Sequence, residues 1–150
     1  ALNHSATVDL DGNAILIGGS RAEGTLSSRV DRYDFRTGPL ERIGALRFGR
    51  ERHRAALLAD GRILVTGGFI GLGTNVSELV DPRTGTATDA GSPVVRRLDH
   101  SATRLRDGRV LVVGGITAGE GAYPKFTIMG KVFDADKAEA YADSFAIKRA

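Results

Sequence analysis

Three gapless stretches of equal length repeat one pattern along this chain. Residues 4–19 read HSATVDLDGNAILIGG, residues 53–68 read HRAALLADGRILVTGG, and residues 100–115 read HSATRLRDGRVLVVGG. A weaker match follows each stretch, at residues 32–38, 79–85 and 132–138. Self-similarity at a fixed period outranks any single short motif. The chain is therefore predicted to build one supersecondary unit three times, at a period of about 49 residues.

Each unit has the pattern of a small antiparallel sheet. A short strand begins at His-Ser-Ala-Thr, an Asp-Gly pair supplies the positive φ angles of a tight hairpin turn, and an almost wholly apolar strand returns. Apolar residues without alternation are typical of a strand that is covered on both faces. A third strand ends at the Asp-x-x-Thr-Gly turn. A fourth strand is predicted through residues 39–47, 86–95 and 138–147.

Four strands repeated at this period are typical of a β-propeller blade. The pattern H-S-A-x-x-x-x-D-G-R-x-L-V-x-G-G, followed by Y-D-x-x-T-G, resembles the kelch repeats of bacterial kelch proteins and of the galactose oxidase central domain. The resemblance implies an all-β chain of three blades, at about 1–48, 49–96 and 97–150. The chain departs from that family where Leu40 and Ala87 stand in place of the usual Trp.

One stretch of the second unit suggests a different fold. Residues 63–75, ILVTGGFIGLGTN, contain the T-G-x-x-x-G-x-G spacing of a dinucleotide-binding turn. Such a turn must lead into a helix whose N-terminal amides hold the pyrophosphate. The residues after Gly73 are too few for that helix before Asp81-Pro82, and the other two units lack the spacing. The glycines are therefore interpreted as part of the repeated sheet.

Three blades are too few for a closed ring, which needs about four to eight. The unpaired outer sheets would leave apolar surface exposed. We therefore expect the chain to be part of a six- or seven-bladed ring, or a three-bladed half that dimerises. The predicted partner is a second copy of the chain or the remaining blades of a parent chain, and an isolated monomer is not expected.

Composition narrows the chemistry that the chain can carry. There is no Cys, so the Tyr–Cys copper radical chemistry of galactose oxidase is excluded for this chain alone, and no cofactor is predicted. A net charge of +3 without a concentrated basic run does not indicate nucleic acid binding. No apolar stretch is long enough for a bilayer and no signal peptide pattern is present, so no membrane association is predicted. The compartment, cytoplasmic or extracytoplasmic, stays open.

The residues that repeat in phase are predicted to be structural. The three histidines occupy equivalent positions that a propeller would distribute around its axis, so they are not expected to share a metal. Each imidazole is expected to bond the backbone of the adjoining blade. The glycine doublets are expected where another backbone comes close. These structural residues are His4, His53, His100, Gly18, Gly19, Gly67, Gly68, Gly114 and Gly115.

The variable loops after the glycine doublets and the connections between blades are the predicted binding surface, because they crowd one end of a propeller. Their candidate ligand-binding residues are Arg21, Glu23, Arg50, Arg52, Phe69, Asn75, Arg96, Arg97, Tyr123 and Lys125. Arg50 and Arg97 recur in phase, so a bracing role through hydrogen bonds is an equal alternative for them. The function predicted is non-catalytic binding of a protein, peptide or carbohydrate, possibly an anionic one. The alternative is part of a carbohydrate-acting propeller enzyme (an oxidase, epimerase or lyase) with its catalytic residues outside this chain.

Overall fold

The structure, a computed structural model, describes residues 2–71, 76–91, 96–116, 131–134 and 139–141, the last two ranges by backbone alone. The described residues form strands and turns and contain no helix. Twelve strands make three antiparallel sheets of four, each in chain order. The strands are β1 Ser5–Val8, β2 Ala14–Ile17, β3 Arg29–Tyr33, β4 Leu40–Ala45, β5 Arg54–Leu57, β6 Ile63–Thr66, β7 Glu78–Asp81, β8 Thr86–Asp89, β9 Ser101–Arg104, β10 Val110–Val113, β11 Lys131–Asp134 and β12 Glu139–Tyr141.

The Asp-Gly pairs form the predicted hairpin turns. In the first sheet β1 pairs with β2 from Ser5↔Ile17 to Val8↔Ala14, and Gly12 has a φ of 85° in the turn between them. The carboxylate of Asp9 accepts hydrogen bonds from the amides of Asp11 and Asn13 at 2.9 and 2.8 Å. This side chain therefore stabilises the turn by occupying amides that the ladder leaves unpaired.

The fourth strands of the first and second units are shorter than the sequence pattern predicted. β4 ends at Ala45, because the chain then turns toward the second sheet, where the amides of Arg47 and Phe48 donate to the carboxylate of Glu78. β8 ends at Asp89, and Ala90 donates its amide to the carbonyl of Ser77. Of the predicted extensions of the second and third units, residues 92–95 and 142–147 lie outside the described residues.

Two apolar clusters join the three sheets face to face. One lies between the first and second sheets and the other between the second and third. Coverage of both faces is confirmed for β6, where all four residues are buried. β2 and β10 alternate between buried and half-buried residues because each belongs to an outer sheet. The buried members are Ile15, Ile17, Val30, Leu46, Ile63, Val65 and Val80 in one cluster, and Ala56, Leu58, Leu64, Leu79, Ala90, Val110 and Val112 in the other.

The order of the strands excludes a dinucleotide-binding unit at residues 63–75. β6 pairs antiparallel with β7, its next strand along the chain, with Leu64 opposite Leu79. A dinucleotide-binding unit needs a parallel strand reached through a helical crossover. The first strands of successive sheets instead contact each other, β1 with β5 and β5 with β9. Within the described ranges, no helix has the length and apolar character that crossing a membrane requires.

Candidate ligand-binding rim

One end of the three sheets carries the segments that precede β1, β5 and β9 and the loops that follow β2, β6 and β10. We name this end the rim. At the rim, each unit has an isolated antiparallel bridge. It joins the residue two positions before the histidine to the residue that follows the glycine doublet. The bridges are Leu2↔Ser20, Glu51↔Phe69 and Leu98↔Ile116. The frame of the rim is therefore made by main-chain hydrogen bonds, and its side chains are free to differ.

A short ladder links the three units along the rim. The residue before each histidine, Asn3, Arg52 or Asp99, has a positive φ of 52–57°, which is uncommon for residues other than glycine. The amide of Arg52 donates to the carbonyl of Asn3 at 3.0 Å, and the amide of Asp99 donates to the carbonyl of Arg52 at 3.1 Å. In the second and third units this turn therefore points an amide at the preceding unit.

Glu51 joins the first two units with its side chain. Its carboxylate accepts hydrogen bonds from Ser20 Oγ at 2.5 Å and from Asn3 Nδ2 at 3.0 Å. The hydrogen bond from Ser20, then that from Asn3, lowers the pKa of Glu51 below its usual value. Glu51 was not among the residues predicted to bind a ligand. The signal was present, since the equivalent residues of the other units are both leucine, Leu2 and Leu98.

Arg52 joins the second and third units in the same way. Its guanidinium forms an ion pair with the carboxylate of Asp99, and both side chains are partly exposed. Hydrogen bonding to Arg52 lowers the pKa of Asp99, and the same contact raises the pKa of Arg52. Arg52 therefore lies on the rim in an ion pair that a ligand would have to share, and its ligand-binding role stays a prediction.

Four other candidate residues of the described chain are exposed at this end. Arg21 and Glu23 lie in the loop after β2, next to Ser20 and its contact with Glu51. Phe69 has 40% of its surface exposed, and its main chain pairs with Glu51. Arg96 is exposed in the segment before β9. The other loop candidates, Asn75, Tyr123 and Lys125, lie outside the described residues.

Arg50 is fully buried and forms the bracing contacts that were the alternative to ligand binding. Its guanidinium donates to the carbonyls of Gly67 and Val76 at 3.1 and 2.7 Å, and to the carboxylate of Glu78 at 2.6 Å. Both charged side chains are 0% exposed. Burial lowers the pKa of Arg50, and the charge of Glu78 opposes that shift. The predicted ligand-binding role of Arg50 is therefore wrong, because a ligand on the surface cannot reach this buried side chain.

Arg97 holds the equivalent position in the third unit. It is 4% exposed and donates to the carbonyl of Gly114 at 2.8 Å, as Arg50 does to Gly67. Burial lowers its pKa. Its ligand-binding assignment is corrected for the same reason. At the position equivalent to Glu78, the third unit has Lys131.

His53 lies in a socket made by the preceding unit. A Cβ atom on Gly18 would stand 2.8 Å from Cε1 of His53 and 2.7 Å from the carbonyl oxygen of Arg50, so only glycine fits there. Nε2 of His53 is 2.7 Å from the hydroxyl of Ser5. The ring also has a hydrogen bond with the backbone of Ile17 in the adjoining unit, as predicted, and the Ser5 side chain is an additional partner. Burial, then the charge of Arg50, lowers the pKa of His53 to about 3.

His100 repeats this arrangement one unit later, against Gly67. A Cβ on Gly67 would collide with the ring of His100 and stand 2.6 Å from the carbonyl oxygen of Arg97. Burial, then the charge of Arg97, lowers the pKa of His100 to about 4. Among the described residues no side chain bonds the ring nitrogens of His100, since Arg54 stands where the first unit has Ser5, and a backbone hydrogen bond to Thr66 of the preceding unit partly opposes the lowering of its pKa.

The contacts of the remaining structural residues depend on whether another unit follows or precedes them. The amides of Gly19 and Gly68 donate to the carbonyls of Arg50 and Arg97 in the next unit, at 2.7 and 2.9 Å. A Cβ on Gly115 would stand 2.5 Å from the carbonyl oxygen of Leu98 in its own unit. His4 is exposed, and a Cβ on Gly114 would meet nothing within 4 Å among the described residues.

A second groove lies at the opposite end of the first sheet, along the turns after β1 and β3. It has a volume of about 560 Å³ and is lined by both cations and carboxylates. These charges pair with each other, Arg36 with Asp34 and Arg32 with Glu41. The groove therefore does not present a cluster of like charges to a ligand. The rim remains the better candidate for a ligand-binding site.

No family model and no curated protein matches the chain. Among solved structures it is similar to a fungal alcohol oxidase of the AA5 family, determined in complex with copper. The identity is 22% and the TM-score is 0.70, over 93% of this chain and 29% of the oxidase. The likeness shows a shared fold. This chain spans less than a third of the oxidase's length.

The described residues of this chain do not fit a copper centre. The chain has no Cys, and its described residues contain no group of three or more His, Asp or Glu that could hold a metal ion. His53 and His100 occupy separate sockets between sheets, each with its ring against a glycine. Three or more convergent ligands are what such an ion requires. No step of chemistry is therefore assigned to a metal here.

Proposed function

We propose that this chain is a non-catalytic segment of a kelch-type β-propeller whose rim binds a peptide or carbohydrate carrying an anionic group. The propeller arrangement is supported by three four-stranded sheets that stack face to face with their first strands adjacent. It is also supported by the fold shared with the AA5 oxidase. The repeat pattern that resembles kelch sequences accounts for the strands and turns of each sheet.

The binding role is carried by one observation, the exposure of Arg21, Phe69 and Arg96 on a frame held by repeated main-chain bridges. Arginine forms paired hydrogen bonds with carboxylates and sulfated or phosphorylated groups. An exposed aromatic ring adds a flat apolar surface for a sugar ring or an apolar side chain. The partly exposed Glu51 and Asp99 carry fixed negative charges that select the orientation of a ligand.

The absence of catalysis is proposed from the placement of the histidines. His53 and His100 are buried, and burial keeps both neutral at ordinary pH. A general base must come within hydrogen-bond reach of its substrate. These two rings instead contact glycines between the sheets.

A second candidate function is favoured by the likeness to an alcohol oxidase. Under this alternative the chain is part of a propeller enzyme that acts on a carbohydrate, and its catalytic residues lie outside these 150 residues. The rim would then position the substrate for groups that another segment supplies.

A glycan array and a peptide pull-down with the purified chain test the proposed binding. We expect retention of acidic glycans or acidic peptides, weakened by salt because exposed charges are screened. Arg21→Ala and Arg96→Ala are each expected to lower affinity by on the order of tenfold, since one charge-assisted contact is lost. Arg36→Ala is the control, because its exposed guanidinium lies at the opposite end. Turnover of a sugar by the assembled protein, with no binding in either assay, would support the second candidate instead.

A further inference from the structure

The third sheet ends in a copy of the histidine socket. Gly18 and Gly67 each face the histidine and the arginine carbonyl of the following unit. Gly114 is their equivalent, with the same backbone conformation (φ 75°), yet a Cβ there would meet nothing within 4 Å among the described residues. Ser101 is the equivalent of Ser5, whose hydroxyl lies 2.7 Å from Nε2 of His53. It is exposed beside Gly114 on the same strand ladder, opposite Val113. The third sheet therefore presents both groups that hold His53 in the first junction.

The first sheet presents the matching insert. His4 is exposed, whereas its equivalents His53 and His100 are buried. Leu16 is half-buried, while Val65 and Val112 at the same position are buried against a preceding sheet. An open groove of about 320 Å³ runs along this face and is lined by His4, Leu16 and Gly18 among others.

The apolar surfaces of the two outer faces also correspond. In the junction between the first two sheets, Ile15 and Ile17 pack with Ile63 and Val65. The third sheet carries Leu111 and Val113 at the positions of Ile15 and Ile17, and both are half-buried. The first sheet carries Ala14 and Leu16 at the positions of Ile63 and Val65. The same apolar contact that joins the sheets inside the chain can therefore form between its two outer faces.

The main chain offers a third correspondence. In the rim ladder, the carbonyls of Asn3 and Arg52 each accept a hydrogen bond from the following unit. The amide of Asn3 stands at the start of this ladder, and the carbonyl of Asp99 stands at its end. A unit docked on the third sheet through its own Asn3 would extend this ladder by one step. Histidine, apolar strand and ladder amide all belong to the first sheet of this same chain.

We propose that a second copy of this chain docks its first sheet on the third sheet of the first copy, with its His4 in the socket of Gly114 and Ser101. The contact joins the first sheet of one copy to the third sheet of the other. Each copy still has one such face free, so the same contact can form a second time, and two copies then close a ring of six sheets. Six sheets lie within the range of about four to eight blades that close a propeller. The proposal concerns assembly and does not depend on what the rim binds.

Light scattering after size exclusion tests this with the purified chain. We expect a particle of twice the 15.9 kDa chain mass. His4→Ala removes a side chain that occurs at both junctions of the ring. It is expected to raise the dissociation constant by on the order of 100-fold, about tenfold for each junction. Gly114→Ala is expected to do the same, because its methyl group would fill the socket.

Gly108→Ala is the matched control for the glycine variant. Gly108 also has a positive φ, 89°, with open space around it, and it lies in the β9–β10 turn away from the socket. Gly108→Ala should destabilise the backbone as much as Gly114→Ala does, because both replace a glycine of positive φ, and it should leave the particle mass unchanged. Circular dichroism of all three variants checks that each chain remains folded.

A monodisperse monomer at high concentration would overturn the proposal, since the faces would then need the remaining blades of a longer chain. A particle of three or more copies would overturn it as well, as would a dimer that His4→Ala and Gly114→Ala leave intact. Glycan and peptide binding by the monomeric His4→Ala variant, measured at the rim, reports on the proposed function separately. Loss of one property can therefore be told from loss of the other.

Discussion

Replacing Glu78 by Gln should destabilise this protein far more than any exposed charge change. Glu78 and Arg50 are both 0% exposed, and the carboxylate also accepts from the amides of Arg47 and Phe48. Gln retains the shape but leaves the guanidinium of Arg50 buried without its counter-charge. Removing one partner of a buried ion pair costs about 3–5 kcal/mol. That is a large part of the roughly 5–15 kcal/mol by which a domain is stable.

Urea unfolding followed by circular dichroism measures the loss. Glu41→Gln is the matched control, since it makes the same chemical change in an ion pair with Arg32 whose carboxylate is 65% exposed. An exposed pair contributes less than about 1 kcal/mol. The reasoning is refuted if both variants lower the free energy of unfolding by the same small amount, because Glu78 would then not be sealed between the sheets.

Two further predictions concern the histidine sockets. The pKa values of His53 and His100 in the fold are about 3 and 4, whereas imidazole in the unfolded chain takes a proton near pH 6.5. The unfolded chain therefore binds more protons below pH 6.5. The free energy of unfolding should be constant above that pH and fall by about 1.4 kcal/mol per pH unit for each histidine from 6.5 toward 4.5. Urea midpoints that do not change over this range would contradict it. Gly67→Ala adds a methyl group against His100 at a φ of 65°. Gly67→Ala should lower the free energy of unfolding by more than about 2 kcal/mol. The control Gly108→Ala, in open space, should lower it by about 1 kcal/mol. Equal losses in thermal or urea unfolding would contradict the socket.

The repeat predicted the strands because each turn carries its own chemistry. Asp11-Gly12 and its two equivalents can adopt the positive φ of a hairpin, and the apolar run of β6 required cover on both faces. The length of the fourth strand of the first unit was overestimated. Its end depends on Glu78, a carboxylate some 30 residues further along the chain that accepts hydrogen bonds from the amides of Arg47 and Phe48.

The candidate site was only partly predictable, because the repeat pattern shows which residues recur and not which of them are buried. Arg50 and Arg97 looked equally suited to bracing and to binding until their burial was known. Glu51 differs from Leu2 and Leu98 at the equivalent positions, but a single departure from the repeat does not show which contacts the residue makes. Its contacts with Ser20 and Asn3 come from another unit, which the sequence does not place beside it.

The account rests on the order of the stack, in which each histidine is buried against the glycine of the preceding unit. A proton NMR experiment that detects through-space contacts tests this directly. We expect cross-peaks between the Cε1 proton of His53 and the α protons of Gly18, and between the corresponding protons of His100 and Gly67. Spectra of the folded protein that lack both pairs of cross-peaks would contradict the account.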